Sequence, residues 1–258
     1  MMERRRASVH SDPAQGEVSA IGWGGTLALF GGAALLLLLA TEVLIPALAE
    51  WTGIEVVVAW FIVGGLAVFA PILVVGALLL RAERRGGRRG PDAPSLWRDR
   101  LRFRRMDRSD WLWALGGLAA IGVATGAIQG LLILFRGEVD LHPPFMAFEP
   151  LGPGRYWILA AWLPFWVVNI LGEEVVWRGV VLPAQEHALG RAAWLANGAG
   201  WFLFHLAFGW ELMLVLLPIC LILPWIAQRT RNSWVAVILH GGLNGPAFVA
   251  VALGVVGG

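Results

Sequence analysis

Residues 156–183 read YWILAAWLPFWVVNILGEEVVWRGVVLP and decide the fold. The run exceeds the roughly 20 apolar residues that cross a hydrocarbon core, so it predicts a membrane helix. Three charged residues, Glu173, Glu174 and Arg178, nevertheless lie inside it. At roughly 3 kcal/mol for each central charge they cost on the order of 9 kcal/mol, which about fourteen apolar residues at roughly 0.5 kcal/mol each barely offset. The charges therefore need partners, a changed protonation state or a water-filled cavity.

The rest of the chain also has the composition of a membrane protein. Of its 258 residues, 58% are hydrophobic and 15% are charged, whereas about a quarter of the residues of a soluble domain are charged. We predict an all-α polytopic transmembrane bundle with about seven spans. The spans are predicted near residues 21–41, 55–80, 111–135, 156–182, 193–209, 212–227 and 234–256. The sixth is short and contains Pro218 and Pro224, which leaves it kinked or only partly spanning and keeps roughly six to eight crossings open.

The predicted organisation follows from these spans. It comprises a cytoplasmic N-terminal tail (1–20), a transmembrane hairpin with an arginine-rich loop (21–110) and a core (111–258) with its polar motifs within 156–245. In the third span Gly122, Gly126 and Gly130 recur at every fourth position. Small residues at that spacing predict a face for close helix packing. Cys220 lies in an apolar run and is expected to be a small buried hydrophobe.

Arginine positions predict how the bundle is oriented. All 20 basic residues are arginine, which hints at a GC-rich bacterial genome and hence a bacterial plasma membrane. With a cytoplasmic N-terminus and an outside C-terminus, only Arg136 and Arg155 fall outside, in agreement with the positive-inside rule. The loop between Arg81 and Arg108 contains eleven arginines and could be read as a nucleic-acid patch. Between two spans it is more simply a topology determinant that touches anionic lipid headgroups, so we expect no nucleic-acid partner.

Helical spacing separates the two glutamates of the fourth span. Glu174 and Arg178 are four residues apart on one face and can form an ion pair. Glu173 points about 100° away, beside Asn169 and Trp177, without a basic partner in its own helix. A carboxylate placed in this way is either protonated or held by a polar group from another span.

Two other spans offer such polar groups. His205 lies in the fifth span, and His240 and Asn244 lie one helical turn apart in the seventh. From the cytoplasmic ends of their spans, Glu173 lies roughly 14 Å deep, His205 roughly 18 Å, and His240 and Asn244 roughly 9 and 15 Å. We therefore predict that these residues share one layer, nearer the cytoplasmic face.

A cluster of this kind can perform several kinds of chemistry. A glutamate and a histidine can position and deprotonate water, two histidines with a carboxylate can hold zinc, and histidine with asparagine can donate to an oxyanion. Each residue alone could also be structural, since polar side chains link membrane helices. A proton-coupled transporter is disfavoured because the outer halves of these spans are almost entirely apolar.

Three motifs together resemble a known family. The segment from Glu173 to Arg178 is similar to the EExxxR signature of the CAAX protease and bacteriocin-processing family, also called the abortive-infection or type II CAAX prenyl endopeptidase family. An aromatic-xxx-His motif runs from Trp201 to His205, and an HxxxN motif runs from His240 to Asn244. The resemblance covers roughly residues 156–245. Trp177 and Trp201 stand where the family usually has Phe, which preserves an aromatic wall but changes the pocket shape.

The resemblance implies a membrane-embedded peptidase that acts near the cytoplasmic leaflet. In that family Glu173 would activate water with His205 as its partner, and His240 and Asn244 would stabilise the oxyanion. Glu174 would assist or, with Arg178, be architectural. Zn²⁺ held by His205 and His240 with Glu173 and a metal-free glutamate mechanism both stay open, since no HExxH motif occurs.

The same resemblance implies the partners. The substrate would be a peptide or a membrane-anchored protein, lipidated substrates included, and the second partner is the lipid bilayer itself. The alternative is a non-catalytic bacteriocin-immunity or phage-defence membrane protein that keeps the same fold and uses the cavity only for binding.

Overall fold

The computed structural model describes residues 20–85, 96–146 and 149–255. The regular structure of these residues is entirely helical, as predicted. We number the helices α1 (Trp23–Thr52), α2 (56–85), α3 (Leu96–Arg100), α4 (Arg108–Arg136), α5 (157–189), α6 (Ala193–Phe204), α7 (Trp210–Thr230) and α8 (Ser233–Ala252). Most of the predicted N-terminal tail and residues 86–95 of the arginine-rich loop lie outside the described residues.

Among the described residues, six helical stretches are long and apolar enough to cross a membrane, and one of them contains two helices. That stretch, Trp157–Phe208, reverses at Gly190, whose φ of 55° lies in the left-handed region. The Asn197 amide of α6 donates to the Trp177 carbonyl of α5 at 3.0 Å, although residues this far apart along one straight helix would be about 30 Å apart. The helices α5 and α6 therefore form a hairpin, in agreement with a bundle of about seven spans.

The sixth predicted span is longer than the sequence indicated. α7 is a continuous helix of 21 residues with Pro218 and Pro224 inside it, which gives it a length of about 32 Å. Both prolines are buried against the bundle. Membrane helices tolerate proline where neighbouring helices stabilise the interrupted turn. By its length this helix can cross the membrane, so the structure favours a full span among the alternatives that the sequence leaves open.

The predicted packing face of the third span is also wrong for contacts within this chain. A Cβ atom added to Gly122, Gly126 or Gly130 of α4 would meet no described atom within 4 Å. Close helix contact occurs instead at Gly198 and Gly200 of α6, which approach the backbone of α7 and the Phe30 ring of α1. The four-residue spacing of these glycines therefore did not identify the positions at which the helices of this chain make close contact.

Polar contacts join several helix ends at one end of the bundle. Arg102 binds the Glu186 carboxylate at the end of α5 through two hydrogen bonds of 2.7 Å. The Arg102 carbonyl accepts the Ser233 N–H at 2.9 Å. Asp110, buried at the start of α4, accepts from Asn232 at 2.9 Å. This end collects the helix termini that the predicted topology assigns to the cytoplasm.

Candidate active site

The two glutamates of the fourth span lie where α5 changes its helical geometry. Glu173 ends the α-helical part, and Glu174 begins a π-helical turn, Glu174–Val181. The carbonyl of Trp177 accepts the Leu182 N–H five residues later, as a π turn requires. Glu173 is 2% exposed and Glu174 is fully buried. Turns of this kind are rare and recur at functional sites. Two others occur, at Ala40–Leu44 and Gly64–Phe69, but only the turn at Glu174–Val181 contains buried charged residues among those described.

Glu174 joins α5 to α8. Its Oε1 atom accepts from the Arg178 guanidinium at 3.0 Å, which is the ion pair predicted from spacing. The same oxygen accepts from Nδ1 of His240 at 2.8 Å. The sequence analysis placed His240 opposite Glu173, whereas the structure places it on Glu174. Because Nδ1 of His240 is engaged, Nε2 is the ring nitrogen left free for a ligand or substrate.

Glu173 has a different set of donors. The indole N–H of Trp201 donates to its Oε2 atom at 2.6 Å, and the Asn169 amide approaches its Oε1 atom at 3.5 Å. His205 is attached to the same tryptophan, because its Nδ1 atom donates to the Trp201 carbonyl at 2.7 Å. One residue of α6 thus fixes both the carboxylate of Glu173 and the imidazole of His205.

Trp201 is the centre of the cluster and was not among the predicted site residues. Its ring meets the rings of His205 and His240 edge-on, with centroids 5.5 and 5.1 Å apart. The Arg178 guanidinium stacks over it, with Cζ 3.8 Å from the ring centroid. A signal for this role was present in the sequence, since a buried indole N–H needs an acceptor and Glu173 lacked a partner.

Asn244 does not join the cluster. It lies one turn beyond His240 on α8, but its side chain is exposed and makes no hydrogen bond to any described residue. His205 and His240 are buried, with 7% and 5% exposure. Five of the six predicted site and support residues therefore converge, and the predicted oxyanion donor Asn244 is placed outside them.

Several charged atoms of the cluster have no partner among the described residues. They are Oε2 of Glu174 and Nε and Nη2 of Arg178, all buried. Buried polar atoms are nearly always hydrogen-bonded in folded proteins, and those of charged groups carry the largest penalty when they are not. The cluster thus presents both acceptor and donor atoms that can bind a water molecule or a polar substrate group.

The arrangement does not assemble the predicted zinc ligands. A catalytic zinc ion usually has three protein ligands. Among the described residues no three His, Cys, Asp or Glu side chains are close enough to hold a metal ion. Each histidine retains a free Nε2, but Glu173 is bound by Trp201 rather than placed between the two rings.

Comparison with known proteins identifies the region that contains this cluster. Residues 155–245 match the family model described as Type II CAAX prenyl endopeptidase Rce1-like. No curated protein and no solved structure matches the chain. The matched segment begins just before α5 and ends within α8, so it includes Glu173, Glu174, Trp201, His205 and His240. In the segment that contains these residues, the chain is similar to the type II CAAX prenyl endopeptidase Rce1-like family.

Proposed function

We propose that this protein is an intramembrane endopeptidase that hydrolyses a peptide bond with water activated by Glu173. The observation that carries the proposal is the double attachment to Trp201, which holds a buried carboxylate by its indole and an imidazole by its carbonyl. A general base and a second polar group fixed beside it are the parts that water activation needs. The family match supports a membrane peptidase of this class.

In the proposed reaction Glu173 takes a proton from a water molecule positioned with Nε2 of His205. The resulting hydroxide attacks the scissile carbonyl carbon and forms a tetrahedral intermediate. Glu173 then passes the proton to the leaving amide nitrogen, and the C–N bond breaks to give a carboxylic acid and an amine. Donors that face the developing oxyanion stabilise this intermediate. We assign that role to His240 with a proton on each ring nitrogen, so that Nδ1 donates to Glu174 and Nε2 donates to the oxyanion.

The substrate class is proposed from the family and from the placement of the site. A prenylated peptide that ends in a CAAX sequence is the first substrate to test, because the family description specifies prenyl CAAX cleavage. A peptide or membrane-anchored protein without a lipid is the second. With the predicted orientation, either one would be cut near the cytoplasmic leaflet.

The test is cleavage by purified protein in proteoliposomes. Both substrates are incubated with the parent protein, with Glu173→Ala and His205→Ala, and with Glu50→Ala, which removes an exposed carboxylate at the end of α1. Loss of a general base lowers rates by roughly 10²–10⁴-fold, so the two site variants should lose cleavage and Glu50→Ala should keep it. Full cleavage by folded Glu173→Ala and His205→Ala would contradict the proposal. No cleavage by the parent protein, together with an immunity or defence phenotype that both variants keep, would support the binding-only alternative.

A further inference from the structure

The arginine-rich loop contacts the π turn of α5 directly. Nη1 of Arg100 donates to the Gly179 carbonyl at 2.7 Å, and Nη2 donates to the Val180 carbonyl at 3.1 Å. Both carbonyls belong to the turn that contains Glu174 and Arg178. Residues of the described part of this loop therefore have a role beyond the positive charge by which the sequence analysis explained them.

Arg100 is itself held firmly in place. Its Nε and Nη2 atoms donate to the two carboxylate oxygens of Glu83, near the end of α2, at 2.9 and 2.7 Å. The two side chains are 3% and 9% exposed. A two-point pair of this kind fixes the plane of the guanidinium as well as its position. This pairing directs Nη1 and Nη2 of Arg100 toward the Gly179 and Val180 carbonyls of the π turn.

The backbone leaves room for this contact at Gly179. A Cβ atom at this position would lie 3.0 Å from Cδ2 and 3.4 Å from the carbonyl oxygen of Leu101, the residue that follows Arg100. Gly179 directly follows Arg178, so the loop backbone packs against the residue next to the cluster. The loop backbone thus packs against Gly179, the same residue whose carbonyl accepts a hydrogen bond from Arg100.

Side chains outside this π turn donate to its carbonyls. Its hydrogen bonds skip to the fifth residue, which is a rare arrangement in a helix. In this turn three carbonyls accept from side chains of other segments, namely Trp177 from Asn197 and Gly179 and Val180 from Arg100. If these donors are removed, the turn can relax toward α-helical geometry, and the Glu174 carboxylate then rotates relative to His240.

We infer that Arg100 is a positioning residue, which holds the π turn so that Glu174 and His240 stay aligned. For its effect on cleavage this inference rests on the proposed function. The effect of Arg100 on the backbone of the π turn does not depend on the proposed function. Arg100 does not touch the cluster, so its influence passes through the carbonyls of Gly179 and Val180.

Arg100→Lys separates the positive charge of the side chain from its planar set of hydrogen-bond donors. Lysine retains the charge opposite Glu83 but lacks the planar fork that reaches Glu83 and two carbonyls together. Arg102→Lys is the matched control, because Arg102 binds the Glu186 side chain and not the π turn. We expect Arg100→Lys to lower kcat about tenfold, equivalent to about 1.4 kcal/mol, with KM nearly unchanged. Arg102→Lys should change neither.

Exchanging the charges of Arg100 and Glu83 tests whether Arg100 acts through the ion pair or through the carbonyls of the π turn. The double variant Arg100→Glu with Glu83→Arg can restore the ion pair, but a carboxylate at position 100 cannot donate to a carbonyl. Thermal stability should therefore recover in the double variant while kcat stays low. Recovery of kcat together with stability would mean that Arg100 only anchors the loop and would overturn the inference.

Amide hydrogen exchange tests the inference without any substrate. Exchange is measured in lipid nanodiscs for peptides that cover residues 174–185. Arg100→Lys should accelerate exchange there by about tenfold, whereas Arg102→Lys should leave it at the parent rate. Unchanged exchange in Arg100→Lys contradicts the inference. If the parent protein cleaves no substrate, the proposed function fails, and exchange still decides whether Arg100 holds the turn.

Discussion

At the scale of single residues, the hydrogen bond from Trp201 to Glu173 distinguishes this site from a purely apolar wall. Sequence reasoning predicted that Glu173 needs a partner and that Trp201 lines the pocket, but it did not join the two residues. It also assigned His240 to Glu173, whereas the structure assigns it to Glu174. Spacing fixes neighbours along one helix, as for Glu174 and Arg178, but it cannot decide which of two adjacent carboxylates faces another helix.

Trp201→Phe tests the indole donor. Phenylalanine keeps an aromatic ring beside His205 and His240 but removes the hydrogen bond of 2.6 Å to Glu173. We expect kcat to fall about tenfold and the free energy of unfolding to fall by about 1–3 kcal/mol, because a buried acceptor loses its partner. Cleavage rates and thermal unfolding in detergent measure these effects. Trp157→Phe, at an exposed position on α5, should change neither quantity.

The two glutamates should respond differently to the same substitution. Glu174→Gln removes the charge opposite buried Arg178 and should destabilise the fold by about 3–5 kcal/mol. Glu173→Gln retains an oxygen that can accept from Trp201, so it should leave stability nearly unchanged. Thermal unfolding of the two variants side by side checks this contrast. Equal stability losses would show that the roles of the glutamates are not divided as the hydrogen bonds indicate.

At the scale of helices, apolar length predicted where the spans lie, but not how they pack. Arg108–Arg136 and Ser233–Ala252 match predicted spans within a few residues, since hydropathy reports the length of an apolar run. The π turn at Glu174–Val181 was not predicted, because its stability depends on donors from α6 and the arginine-rich loop. Gly122, Gly126 and Gly130 of α4 were predicted to pack, although the close contacts of the described residues lie at other glycines, among them Gly198 and Gly200 of α6.

Two alanine substitutions compare these glycines. A Cβ atom at Gly198 would collide with the carbonyl oxygen of Cys220 in α7, a backbone atom that cannot move aside. Gly198→Ala should therefore destabilise the protein by about 1–3 kcal/mol. Gly126→Ala meets no described atom within 4 Å and should be neutral or slightly stabilising. Thermal unfolding of both variants decides whether Gly198, and not Gly126, has the close contact.

At the scale of the whole molecule, the fold brings distant segments to one buried cluster. α5, α6 and α8 supply its side chains, and α1 supports it through Phe30, whose ring stacks on Trp177 with centroids 4.2 Å apart. The first span, which lies outside the residues that match the family model, thus contributes to the wall behind the site. Orientation in the membrane remains a prediction from the arginine distribution.

Cysteine labelling tests that orientation. In a Cys220→Ala background, a cysteine replaces exposed Ser109 at the predicted cytoplasmic end or exposed Glu138 at the opposite end. A maleimide that cannot cross membranes should label the Glu138 variant from outside intact cells and the Ser109 variant only after the membrane is opened. The reverse pattern would place the site near the outer leaflet.

The need for a metal is a separate question. Because no three potential ligands converge among the described residues, cleavage should survive treatment with a chelator. Metal analysis of the purified protein and a chelator series on the cleavage reaction measure this. Loss of cleavage that added Zn²⁺ restores would mean that His205, His240 and Glu173 rearrange to bind the ion.

The most direct test of the central claim is the single-turnover cleavage rate of Glu173→Gln. This change preserves the size of the side chain and an acceptor for Trp201, and it removes only the ability to take a proton. We expect folded Glu173→Gln to bind substrate with nearly the parent affinity but to cleave it at least about 100-fold more slowly. A rate equal to that of the parent protein would contradict the role of Glu173 as the general base.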